Sequence, residues 1–183
     1  MRPSKKQQVI DTATRLFCER GYQATGIDTV IEEAGVAKMT LYGNFKSKEE
    51  LILECIRQLD DEAFEWYVKN IMDSTTDPRA RVMNIFKVLH ELVSRGPFHG
   101  CPFIRASTEY PDVNNKIHGM AASHKERMRK FFEQLVADAG IKQPKKVASK
   151  IQIIMEGTMA MVQVTGDTQL VKTASEILRS IVD

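Results

Sequence analysis

Lys38, Met39, Thr40, Tyr42, Gly43, Asn44, Lys46 and Lys48 stand almost side by side, and their chemistry fits the surface of a DNA duplex. Thr40 and Asn44 bring the donors and acceptors that meet base edges, and the methyl groups of Thr40 and Met39 suit the methyl of thymine. Lys38, Tyr42, Lys46 and Lys48 suit phosphate oxygens. Val36, Leu41 and Phe45 are interleaved at a spacing that turns them inward and leaves the polar set outside. The other reactive side chains form no comparable set. His90, His99, His118 and His124 lack metal-ligand spacing, and His99-Gly-Cys101 is a two-ligand fragment only. Ser94, Ser107 and Ser123 sit in no nucleophile elbow, and neither a phosphate loop nor a dinucleotide fingerprint is present. No catalytic residue, metal or cofactor is expected, and the chain does not read as an enzyme. Cys101, between Gly100 and Pro102, is redox-sensitive if exposed and electropositive, and an inert thiol if buried.

Two short helices joined by a tight turn must position the polar set. Ile27, Val30, Ile31 and Ala34 recur at i, i+3, i+4 and i+7, a buried stripe on a helix of about two turns that Gly35 ends. Thr25 and Asp28 form a Thr-x-x-Asp start for it, with Thr25 counted among the DNA-facing residues; Ser47 and Glu50 repeat the device for the next helix. The free N–H groups at that second start suit a phosphate. In a helix-turn-helix the second helix enters the major groove with its N-terminal side chains on base edges. Ahead of the pair, Ser4 and Gln7 open a helix with Val9, Ala13, Leu16 and Phe17 on its inner face, and Gly21 stops it.

Residues 4 to 51 resemble the N-terminal domain of the TetR family of bacterial transcription regulators. The motif runs through Gly26-Ile27, Ala34-Gly35-Val36 and Thr40-Leu41-Tyr42-x-x-Phe45-x-Ser47-Lys48-Glu49-Glu50-Leu51. The resemblance implies a homodimer on a palindromic double-stranded operator, most simply a repressor, with a C-terminal domain in which a small molecule alters DNA affinity. Two positions depart from the pattern. Ala37 replaces a frequent serine cap, and Gly43 weakens its helix by about 1 kcal/mol relative to alanine, unless it allows close approach to a phosphate. These departures leave a second reading: a helical ligand-binding or adaptor protein whose head does not read an operator.

The remainder of the chain reads as all-α, giving about nine helices with no strand alternation. A long helix leads from Ser47 toward Asn70, about 35 Å, and is the natural lever between head and body. Residues 73–78 form a loop, with Asp77 capping a helix that opens on Pro78. Helices follow to Gly96-Pro97, from Pro102 to Glu109, from about Val113 to Ala139, and from Pro144 onward. The expected division is a DNA-binding domain at 1–50, its motif at 26–45, and an effector-binding and dimerisation domain at 51–183. The last two helices are apolar over a broad face, with Ile153, Gly157, Ala160, Met161 and Val164 widening the stripe. Such breadth suits a subunit interface, although a monomer core has the same pattern. Trp66, Phe86, Phe103, Met120, Met155 and Met159 line either an apolar effector pocket or ordinary core. Glu156 is the polar exception on its apolar helix, suited to a ligand or to a salt bridge.

Composition narrows the partners. With a net charge of +2 over 183 residues, nucleic-acid binding must come from a local patch, for which Arg2, Lys5 and Lys6 join the lysines at 38, 46 and 48. Three cysteines at unrelated spacings point to a reducing compartment. The start of the chain is polar, and the apolar stretch at 147–165 is interrupted by Lys150, Gln152, Glu156 and Gln163. A cytoplasmic protein without a membrane partner is the expectation.

Overall fold

In a computed structural model, which describes residues 4–182, nine α-helices account for the regular structure among the described residues. They are α1 (Lys5–Arg20), α2 (Ile27–Ala34), α3 (Lys38–Asn44), α4 (Lys48–Met72), α5 (Pro78–Val93), α6 (Pro102–Glu109), α7 (Lys116–Asp138), α8 (Pro144–Thr165) and α9 (Leu170–Val182). Arg2 lies outside the described residues. No described helix is long and apolar enough to cross a membrane.

Local chemistry sets most of the ends. The Ser4 hydroxyl accepts the Gln7 N–H at 3.1 Å to start α1. Asp77 accepts the Arg79 N–H at 3.0 Å, one residue ahead of Pro78 in α5. Gly35, Gly140 and Gly166 follow α2, α7 and α8 in the left-handed region, where glycine carries no Cβ penalty. At α4 the Ser47 hydroxyl accepts the Glu50 N–H, and the Glu50 carboxylate accepts the Lys46 N–H at 2.6 Å. The carboxylate thus closes the capping box one residue further back than its usual form. α7 begins at Lys116 rather than near Val113, because Asp112 accepts the Asn114 N–H and Asn115 caps the helix by accepting the Ile117 N–H at 2.8 Å.

The Thr-x-x-Asp start expected for α2 is absent. Gly26 is the N-cap and makes no side-chain hydrogen bond. Thr25 is buried instead, its hydroxyl 2.7 Å from the carbonyl of Gly21 and 3.3 Å from that of Leu16. The exchange follows from burial. Carbonyls at the end of α1 have no intrahelical donor, and leaving a buried one unpaired costs about 1–3 kcal/mol, whereas the α2 start is open to water.

The chain divides into two compact units, the first comprising residues up to Glu62 with Pro102–His124, and the second comprising Ala63–Cys101 with residues from Lys125 onward. In the first, α1 packs on α2 and α3. Its core holds Val9, Ala13, Leu16, Phe17, Val30, Leu41, Phe45, Leu51 and Ile52. Ile27 and Ile31 of the expected α2 stripe are half-buried. In the second, α5, α8 and α9 pack on one another around Ile85, Phe86, Leu89, Phe132, Ile151 and Leu178.

Two glycines of the first unit are predicted to respond oppositely to alanine. Gly21 has φ 100°, and a Cβ there would stand 2.8 Å from Glu109 Oε1. Gly21→Ala should therefore lower the free energy of unfolding by about 1–3 kcal/mol. Gly43 lies inside α3 with nothing within 4 Å of an added Cβ, so Gly43→Ala should raise stability by up to about 1 kcal/mol. Chemical denaturation of the full chain measures both; a destabilised Gly43→Ala would mean that α3 is held in a conformation alanine resists.

Candidate nucleic-acid interface

The turn between α2 and α3 is fixed by backbone alone. Gly35, at φ 59° and ψ 39°, donates its N–H to the carbonyls of Ile31 and Glu32, and the Val36 N–H reaches Ile31 O at 3.3 Å. These bonds satisfy the last carbonyls of α2 and reverse the chain in two residues. Ala37 then starts α3 with extended backbone and no side-chain cap. α3 is short, and only Leu41 within it is buried, with Phe45 just beyond its end as a second anchor. Everything else on α3 is left to solvent or to a ligand.

That outward face carries the residues assigned to DNA. Met39 is 86% exposed and Tyr42 48%, which is far from the usual burial of such side chains and leaves their apolar surface available. Lys38, Gly43, Asn44 and Lys46 are exposed and Thr40 is half-buried. Three of the polar groups already have partners. The Asn44 amide donates to Thr40 O at 2.7 Å, which orients its side chain along the helix and leaves its oxygen to accept. Lys38 pairs with Asp28 at 3.1 Å, and that hydrogen bond holds its pKa above the ordinary lysine value. Lys48 is half-buried and donates to the Gln23 carbonyl at 2.9 Å; burial pulls its pKa down. An ammonium has three donors, so two protons of Lys48 are left for an oxyanion.

Thr25 differs from the rest of the set, since its side chain is directed into the α1–α2 corner and is 2% exposed. Sequence reading also missed the residues that hold this corner from α6. Glu109 accepts the backbone N–H of Tyr22 at 3.2 Å and of Gln23 at 2.6 Å. Arg105 donates to Cys18 O at 2.7 Å, and the Tyr22 hydroxyl donates to Pro102 O at 3.2 Å. No local pattern marks these partners, because each pair is separated by 80 residues or more. Asp28, whose spacing from Thr25 suggests a cap, pairs instead with Lys38.

The six residues assigned to an effector fall in both units. Phe103 is buried in the first and stacks on His124 with ring centroids 3.5 Å apart. Met120, also in the first, lines a groove of about 550 Å³ with Leu53, Arg57 and Lys116. Phe86, Met155 and Met159 are buried in the core of the second, where Trp66 is half-buried, edge-on to Tyr67 and beneath the Arg95 guanidinium at 4.5 Å. Among the described residues no group of three or more His, Cys, Asp or Glu side chains is placed to hold a metal ion.

Comparison with known proteins agrees with this geometry along the whole chain. Residues 9–55 match the model of bacterial regulatory proteins of the tetR family, and residues 78–178 match the tetracyclin repressor-like C-terminal domain. The HTH-type transcriptional regulator YjdC of Escherichia coli is 24% identical over 177 residues, covering 97% of this chain and 93% of its own. The HTH-type transcriptional repressor KstR2 of Mycobacterium tuberculosis is 33% identical over 90 residues, covering 49% of this chain and 44% of its own. In fold, SCO4454, a TetR-family transcriptional regulator from Streptomyces coelicolor, superposes with a TM-score of 0.89 at 24% identity, covering 98% of this chain and 96% of that one. With the backbone-set turn, the outward face of α3 and both family models in register, the chain belongs to the TetR family of DNA-binding transcription regulators.

Proposed function

We propose that the protein is a homodimeric repressor that occupies a palindromic operator and leaves it when a small molecule binds. The observation that carries the DNA part is the face of α3, where Met39 and Tyr42 stand in solvent while Leu41 and Phe45 anchor the helix from behind. In this reading Thr40, Asn44 and the Met39 methyl meet bases in the major groove. Lys38, Tyr42, Lys46 and Lys48 hold the backbone, Gly43 lets it approach, and Thr25 braces the corner from inside. Residues 1–50 serve as the reading head and 51–183 as the effector-binding and dimerisation part. The unbroken helix α4 is the element through which an effector would act. An effector must bind the two head arrangements with different affinities, because equal binding shifts nothing.

The dimer rests on an apolar stripe left on the second unit. Ile153 is 72% exposed, Met161 50% and Val164 81% on α8, with Ile177 of α9 at 43%. Gly157 and Ala160 lie exposed within the same stripe and allow close helix approach. A second copy covering this face gives two heads on a two-fold axis, which matches two half-sites spaced by whole helical turns. Free cysteines suit action in the cytoplasm, and a regulator's role rather than an enzyme's agrees with the names of the relatives. The absence of a side-chain cap at Ala37 favours the rival, an adaptor with an operator-incompetent head.

Mobility shift against the DNA flanking the protein's own gene separates the two, since the adaptor gives no specific complex. Within a specific complex, Lys46→Ala should weaken every sequence alike and reduce the slope of log K against log salt by about one. Asn44→Ala should relax base preference at one position, a loss of about 1–3 kcal/mol in discrimination. Equal loss on all sequences for both variants would sink the division into base and backbone residues. Val164→Asp places a charge in the apolar stripe and should shift sedimentation equilibrium to monomer, with half-site affinity only; an unchanged dimer would move the interface elsewhere.

A further inference from the structure

The second unit contains a polar cluster that DNA binding does not use. Lys125 of α7 donates to Cys101 Sγ at 3.1 Å and to Glu156 Oε1 at 2.5 Å. Glu156 lies on α8 one turn after Gln152, whose amide holds the Lys125 carbonyl at 2.8 Å, so α8 grips both the backbone and the side chain of the lysine. Burial works against the Lys125 ammonium, but the charges of Cys101 and Glu156 and their hydrogen bonds outweigh it and raise its pKa above the ordinary lysine value. Two buried oxygens of the cluster, Tyr67 Oη and Glu156 Oε2, have no hydrogen-bond partner. Tyr67 is 6% exposed. Burial, together with the charges of Glu156 and Cys101, pushes its pKa well up and keeps it protonated as a donor. A buried phenol with nothing to donate to is uncommon and calls for a physical reason.

These groups together make up what one class of reaction requires. The thiolate, not the thiol, is the nucleophile of a cysteine, and a neighbouring ammonium compensates its charge. Addition to a conjugated carbonyl then moves the negative charge from sulfur to the carbonyl oxygen, where a fixed donor stabilises it. Cys101 is half-buried, so a small molecule has access to it. We propose that Cys101 is a covalent capture site for small α,β-unsaturated carbonyl compounds, with Lys125 supporting the thiolate and Tyr67 donating to the enolate oxygen. The sulfur lone pair forms the bond to the β-carbon, and the C=C π pair becomes the enolate. The enolate takes a proton at the α-carbon from solvent, equal to the proton the thiol gave up. Thiol plus enone thus gives a thioether, and no oxidant or reductant is consumed. As an effector site this deepens the repressor reading and rests on it for its regulatory consequence.

The chemistry is tested without DNA, so its failure leaves the operator reading intact, and failure to bind an operator leaves the cysteine chemistry intact. The full-length protein is treated with methyl vinyl ketone and followed by mass spectrometry with peptide mapping. Cys101 should be modified well before half-buried Cys18, and before Cys55, which burial pushes up to about 12. Lys125→Met should slow addition at Cys101 about tenfold or more without changing the rate at Cys18. Tyr67→Phe removes only an unpartnered oxygen and should fold normally. It should slow the ketone yet leave alkylation by iodoacetamide, which forms no enolate, unchanged. Equal rates at Cys101 and Cys18 in the unmodified sequence, or equal slowing of both reagents by Tyr67→Phe, would overturn the proposal.

Discussion

The first unit depends on how the corner between α1 and α2 is closed. Gly21 turns the chain in a conformation reserved for glycine, and the turn exposes N–H groups on one side and carbonyls on the other. Glu109 takes the N–H groups of Tyr22 and Gln23, Arg105 takes the Cys18 carbonyl, and Thr25 takes that of Gly21. The charged partners Glu109 and Arg105 make stronger bonds than neutral groups would, and leaving a buried group such as the Gly21 carbonyl unanswered would cost more than any single bond contributes. The corner fixes where α2 begins, α2 fixes the Gly35 turn, and the turn fixes the face that α3 presents. α6 therefore belongs to the same compact unit and braces α1 and α2 there, although Glu109 lies more than 80 residues along the chain from the corner it holds.

The outward face of α3, proposed to meet DNA, is held with very little core and very little charge. Leu41 and Phe45 provide most of what anchors α3, so the outer residues can change without disturbing the fold. Around them, the cations Lys38, Lys46 and Lys48 are interspersed with Asp28, Glu49 and Glu50. The exposed Lys38–Asp28 pair contributes little to stability. It does hold the lysine head beside the first turn of α2, where moving it to a phosphate would release Asp28 to solvent. A near-balanced patch on a chain of net charge +2 gives weak long-range attraction, so discrimination has to come from shape and base contacts more than from field strength.

What was legible in the sequence was local. Ser4, Ser47, Asp77-Pro78, Gly35 and Gly140 mark ends through partners only a few residues away, and the structure puts the helices within a few residues of where those signals place them. The polar face of α3 was legible for the same reason, since Leu41 and Phe45 define its back. Thr25 was misread because its best acceptor lay in the preceding helix, and burial outranked the cap. The Glu109 and Arg105 contacts had no sequence signal at all, their spacing being set by the path of the chain. Cys101 and Glu156 stood out as oddities, but Lys125 and Tyr67 had no periodicity that singled them out from an ordinary amphipathic helix.

The Lys125–Glu156 pair is difficult to explain as a stabilising device. Removing two charges from water carries a penalty that their attraction offsets only when every lone pair and proton is satisfied. Here Glu156 Oε2 and Tyr67 Oη are left over, in a region otherwise filled by Phe86, Leu89, Phe132 and Ile151. Apolar side chains of the same volume would hold the helices together at least as well. The cation against the sulfur and the two unsatisfied oxygens beside it are the groups that the proposed capture of a small molecule would engage. The same logic makes the exposed stripe of α8 informative, because Ile153 and Val164 contribute nothing to a core they do not enter. Both features depart from what folding alone would select, and each acquires a physical reason once something outside the chain, a second copy or a small molecule, completes it.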